Sequence, residues 1–65
     1  MSLRQLAEEY AASADKLALG LERVRERQTA ARGEEAVDLA RRAAVMKLEL
    51  QVLRSLSRVL GSYYA

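Results

Sequence analysis

The stretch that decides the fold is segment 36–64, which reads AVDLARRAAVMKLELQVLRSLSRVLGSYY. It holds no proline and is rich in alanine, leucine and arginine, a composition typical of a helix. Apolar and small side chains recur along it at alternating three- and four-residue spacing, which places them on one side of a helix. We call this row the second seam: Ala36, Leu39, Ala43, Met46, Leu50, Leu53, Ser57, Leu60 and Tyr64.

The same stretch carries another apolar row on a different side of the helix. We call it the outer stripe: Val45, Leu48, Val52, Leu56, Val59 and Tyr63. A helix that is apolar on two sides must be buried on two sides. A chain of 65 residues has little material for this, so the pattern predicts association with a partner.

The pattern in the first half of the chain predicts another helix, which packs against segment 36–64. Ser2 and Gln5 fit a capping box that starts the helix, and Met1 is placed to pack on Leu6. A heptad row then follows, which we call the first seam: Leu3, Ala7, Tyr10, Ala14, Leu17, Leu21, Val24, Gln28 and Ala31. Gly20 lies beside this row and suits a close approach between helices or a weak point in the helix.

A turn is predicted at 32–34, because Gly33 suits the left-handed residue that ends a helix. The two seams are also out of phase across this point, which argues against one continuous helix. We therefore predict a single domain, 1–65, with a helix over 3–31, a turn over 32–34 and a helix over 35–62. As an antiparallel hairpin, it pairs the two seams from Ala31–Ala36 at the turn to Leu3–Tyr64 at the open end.

Because the hairpin leaves the outer stripe uncovered, we predict that the all-α hairpin dimerises into a four-helix bundle through these six residues. The expected partner is the chain itself, as a homodimer or a higher oligomer. An unidentified protein is the other candidate. The predicted function is that of a non-enzymatic oligomerisation and protein-interaction module, with coiled-coil-like packing.

Composition argues against catalysis and cofactors. The chain has no cysteine and no histidine, which excludes disulfides and ordinary zinc sites. Ser13 and Lys16 form an S-x-x-K sequence, but neither S-D-N nor K-T-G follows it. The acidic pairs Glu8–Glu9 and Glu34–Glu35 diverge on a helix by about 100°. We expect no enzyme, no cofactor and no metal.

The alternative function is nucleic-acid binding at the hairpin tip, where Arg41 and Arg42 are the candidate phosphate contacts. Acidic residues interleave with the tip arginines, and Asp38 is spaced to pair with Arg42, so a solvated surface is the simpler interpretation. No uncharged apolar run is long enough for a membrane helix, and no secretory signal is evident. The expected location is the cytoplasm.

The segment Leu3-Arg4-Gln5-Leu6-Ala7-Glu8-Glu9-Tyr10, the helical hairpin and the closing Tyr63-Tyr64 resemble a group of small uncharacterised helical proteins of Gram-positive anaerobes. Some members are encoded near mobile genetic elements. The resemblance implies a helical hairpin and no assigned activity. In shape alone the predicted dimer is also similar to the plasmid RNA-binding protein Rop, which would imply an RNA- or DNA-binding regulator.

Overall fold

A computed structural model describes residues 2–63, and it confirms the predicted all-helical hairpin. Helix α1 spans Leu3–Gln28 and helix α2 spans Gly33–Ser62. The two helices pack along their length into a rod of 47 × 18 × 14 Å. The length agrees with α2 itself, since 30 residues at about 1.5 Å each reach roughly 45 Å. The chain is thus two helices side by side, with a single contact face between them.

The predicted capping box starts α1. The backbone N–H of Gln5 donates to Ser2 Oγ at 3.1 Å, and the backbone N–H of Ser2 donates to Gln5 Oε1 at 2.9 Å. Two of the amides that a helix start leaves unpaired are satisfied in this way. Arg32 precedes helix α2 as its N-cap residue but makes no side-chain cap, and Glu34 and Glu35 lie in the first turn of the helix as predicted. Their negative charges lie near the positive end of the helix dipole, which stabilises the start of the helix.

The contact face between the helices is the two predicted seams. Every seam position from Ala7 to Ala31 and from Ala36 to Leu60 is buried or half-buried. The centre of the core lies where Ala14 and Leu21 of α1 meet Leu50 of α2. Around this centre pack five more side chains: Leu17, Ala18, Ala43, Met46 and Leu53. Small residues of one helix thus lie against large residues of the other, which fills the space between them.

The open end of the hairpin departs from the predicted seam. Leu3 was expected to be covered, yet half of its surface is exposed because it lies in the first turn of α1, at the end of the rod. Its predicted partner Tyr64 lies outside the described residues, and so does the Met1 of the predicted Met1–Leu6 contact.

One polar contact joins the two helices within residues 2–63. The Ser57 hydroxyl donates to the backbone carbonyl oxygen of Ala7 at 3.1 Å, in a half-buried position. The small Ala7 side chain allows the serine to reach the α1 backbone. No buried side-chain nitrogen or oxygen lacks a partner in this part of the chain.

The connection is longer than predicted and lies earlier in the chain. Helix α1 ends at Gln28 rather than at residue 31, and α2 begins at Gly33 rather than at residue 35. The cause is Thr29, whose Oγ1 donates to the Glu26 carbonyl oxygen at 2.7 Å and competes with the helical backbone for it. The amides of Thr29, Ala30 and Ala31 bond three residues back, in tightened turns.

Gly33 does adopt the predicted left-handed conformation, with φ of 60°, but the role predicted for it was wrong. It is the first residue of α2 and does not end α1. At Gly20, where a close approach between helices or a weak point was predicted, the close neighbour is a side chain: a Cβ atom there would lie 3.1 Å from Met46 Cε.

The two glycines of α2 give a matched test of this geometry. Gly33→Ala should destabilise the protein by about 1 kcal/mol, because a Cβ atom disfavours a positive φ. Gly61→Ala, at a helical position with open space around it, should be neutral or stabilise by up to about 1 kcal/mol. Urea unfolding monitored by circular dichroism measures both. Equal effects of the two substitutions would contradict the left-handed assignment of Gly33.

Candidate interaction surface

The outer stripe is an apolar row that the hairpin leaves uncovered. All six of its residues are exposed, from 39% for Leu56 to 72% for Tyr63. At about 100° per residue, the stripe lies roughly 140° around α2 from the second seam. It therefore points away from α1, which cannot cover it. Only two residues of the 30 in α2, Leu39 and Leu50, are buried.

The surface of the stripe is apolar and contains two hollows. A shallow hollow lies at its centre, lined by Leu48, Gln51, Val52, Ser55 and Leu56. The first four of these stand at i, i+3, i+4 and i+7, the four-residue hole that receives a side chain of a facing helix in coiled-coil packing. A second hollow adjoins it and shares Leu48 and Val52. Both hollows could accept apolar knobs of a facing helix.

The edges of the stripe differ in charge. On the side of Gln51, Ser55 and Ser62 the flanking positions are exposed and uncharged. On the other side Glu49 is the charged residue nearest to the middle of the stripe, and Arg42 lies two turns before it. One edge of the surface is therefore free of ionic groups along most of its length, so a facing helix could cover it without desolvating a charge.

The total exposed surface is large for the mass of the chain. The accessible surface is 5117 Å², whereas a compact monomer of 7.3 kDa is expected to expose about 4200 Å². The excess, about 900 Å², is close to the roughly 800 Å² per partner that a stable protein–protein interface buries. The rod shape accounts for the excess, because each helix meets only one neighbour.

The polar residues at the hairpin tip form a separate, mixed surface. A hollow there is lined by two arginines, three carboxylates and one leucine: Arg27, Arg42, Glu34, Glu35, Asp38 and Leu39. The carboxylates outnumber the arginines, so the field at this place does not favour a phosphate. Arg41 and Arg42 are both exposed but face different directions, since neighbours on a helix diverge by about 100°. They do not form a paired phosphate site.

The predicted ion pair between Asp38 and Arg42 does not form. Within residues 2–63 the one salt bridge joins Arg4 Nε to Glu8 Oε1 at 3.8 Å. Both Asp38 and Arg42 are exposed, where the Coulomb gain is small and fixing two long side chains costs entropy.

The serine, lysine and acidic pairs considered as catalytic candidates all lie at exposed positions. Ser13 and Lys16 are both exposed on α1. The described part of the chain contains no cluster of three or more acidic residues that could hold a metal ion. No helix within residues 2–63 combines the length and the apolar character that crossing a bilayer requires.

Two residues of the interaction surface were not predicted from the sequence. Gln51 and Ser55 line the central hollow, although neither belongs to the apolar rows predicted from the sequence. Their i, i+3, i+4, i+7 relation to Leu48 and Val52 is the signal that would have found them. Two further apolar residues, Leu19 and Val37, are also exposed, at 56% and 57%. Leu19 stands on α1, away from the outer stripe.

Comparison with known proteins gave no match among protein-family models, curated proteins or solved structures. The resemblance to small helical proteins of Gram-positive anaerobes stays a prediction.

Proposed function

We propose that this chain is a non-enzymatic oligomerisation and protein-interaction module that associates through the outer stripe of α2 into a four-helix bundle. The observation that carries the proposal is the exposure of all six stripe residues, five on α2 and Tyr63 directly after it, while α2 has only two buried residues. Isolated apolar residues on a surface need no explanation, but a continuous row of six does.

The energetics favour a partner that covers the whole row. Each stripe residue keeps about half of its surface, so covering it contributes on the order of 1 kcal/mol. Association costs roughly 4–15 kcal/mol in lost freedom of motion. Contact with one or two stripe residues cannot offset that cost, whereas burial of the six together on two chains can. A second helix lying along α2 meets this requirement.

The first proposed partner is the chain itself. The proposed location is the cytoplasm, as the sequence predicts. An unidentified protein with a similar apolar helix is the other occupant of the same surface. The proposed role is non-enzymatic, because burial of apolar side chains alone drives the association.

The mass in solution tests the proposal directly. Light scattering at micromolar concentration should give about twice the chain mass of 7.3 kDa. Val52→Glu combined with Leu56→Glu should shift the protein to monomer or unfold it, because two carboxylates would have to be buried. A folded wild-type monomer at this concentration would contradict self-association.

Leu19→Glu is the matched control for this double substitution. Leu19 is as exposed as Val52 but lies on α1, away from the stripe. The variant should keep both the mass and the melting temperature of the wild type. Equal losses in the control and in the double variant would show a general intolerance of charge rather than an interface.

Nucleic-acid binding by Arg41 and Arg42 predicts a different result. It would give a salt-sensitive mobility shift with RNA or duplex DNA that is lost on replacing both arginines by alanine. Since three carboxylates line the tip hollow together with Arg42, we expect no shift at low salt. A shift that the double replacement abolishes would favour the regulator over the interaction module.

A further inference from the structure

The part of the outer stripe from Val45 to Val59 reads the same in both directions. Extended by one turn to Arg41, it has intervals of four, three, four, four, three and four residues, symmetric about Val52. The residue types from Val45 to Val59 are also symmetric, with valine and leucine alternating, and the two ends are an arginine and a tyrosine. In order, the row is Arg41, Val45, Leu48, Val52, Leu56, Val59 and Tyr63.

We infer that the occupant of the stripe is a second copy of this chain, with its α2 antiparallel and a two-fold axis at Val52. This inference rests on the proposed function and specifies its partner and geometry. A two-fold interface requires that a surface match itself, with residue i against j and j against i. The symmetric row meets that condition, since Val45 lies opposite Val59 of the partner subunit and Leu48 lies opposite Leu56 of the partner subunit.

The charges at the ends of the row favour the antiparallel direction. In a parallel pair with the same residues aligned, Arg41 would face Arg41 of the partner subunit, and Glu34 and Asp38 would also meet their own copies. Like charges placed directly opposite one another are destabilising. In the antiparallel pair, each Arg41 instead faces Tyr63 of the partner subunit, and the helix dipoles oppose each other.

The contact between Arg41 and Tyr63 would be favourable at both ends of the dimer. Tyr63 is 72% exposed and Arg41 is exposed, so both side chains are free to meet. A guanidinium over a tyrosine ring is attracted by the ring electrons. Arg41, which lies one turn before the first apolar residue of the row, would thus pack against the far end of the partner's row.

The central hollow fits the same axis. It is lined by Leu48, Gln51, Val52, Ser55 and Leu56, so Val52 forms part of its wall. With the axis at Val52, Val52 of the partner subunit is the side chain placed to enter this hole. The uncharged residues Gln51 and Ser55 allow the close approach that such packing needs.

Cross-linking of single-cysteine variants tests the direction of pairing. The chain has no cysteine of its own, so every disulfide comes from an introduced residue. We expect Val52→Cys to form a dimer by itself on oxidation. We expect Val45→Cys and Val59→Cys to cross-link efficiently only when mixed, which a mass tag on one variant identifies as the mixed dimer. Disulfides form only where the Cα atoms approach within about 7 Å.

The outcomes separate the inference from the proposed function. Self-linking of Val45→Cys and of Val59→Cys without preference for the mixture would show a parallel dimer and overturn the inference alone. A dimer by light scattering that yields no disulfide from Val52→Cys, or none from the mixture, would also overturn it. A wild-type chain that stays monomeric by light scattering overturns the proposed function itself.

Dilution measurements test the end contacts. Arg41→Ala and Tyr63→Ala should each raise the dimer Kd roughly five- to thirty-fold, because two equivalent contacts are lost. The double variant should be little worse than either single one, since both remove the same contact. Arg58→Ala, away from the row, should leave the Kd unchanged. Effects of Arg41→Ala and Tyr63→Ala that multiply would overturn the pairing of these two residues.

Discussion

The structure depends on the packing of α1 along a single face of α2. Two helices side by side share one contact face, so each can bury only the row that points at the other. For α1 this is sufficient, because its other faces are mostly polar. For α2 it is not, since a second apolar row points away from α1 and stays exposed. The exposure of the outer stripe and the excess surface both follow from this geometric limit.

Apolar rows alone leave the alignment of two helices weakly determined, because sliding one helix by a heptad places similar side chains opposite one another again. Three features of this hairpin restrict such sliding. Ser57 bonds the Ala7 carbonyl oxygen, which a shift of one turn would break. Gly20 gives room to Met46, and a larger residue at that level would be pushed against its Cε atom. The short connection after Thr29 adds a third restriction.

Much of the hairpin could be predicted from sequence, because heptad spacing determines which side of a helix is buried. Both seams and the Ser2–Gln5 capping box followed from spacing and residue type. The end of α1 did not, since the Thr29 hydroxyl competes for a backbone carbonyl, and this local hydrogen bond leaves no periodic signal. The stripe was also identified, but its polar lining at Gln51 and Ser55 depends on shape, which apolar patterning does not encode.

The small core has a consequence for how the protein behaves in the cell. Six apolar residues are buried in the described hairpin, and short single-layer folds of this kind are marginal by themselves. A partner that binds only the folded chain stabilises it by mass action, so the folded fraction would rise with the amount of protein made. Folding would then respond to expression level, and a chain produced too sparsely to meet its copy would be left to proteolysis.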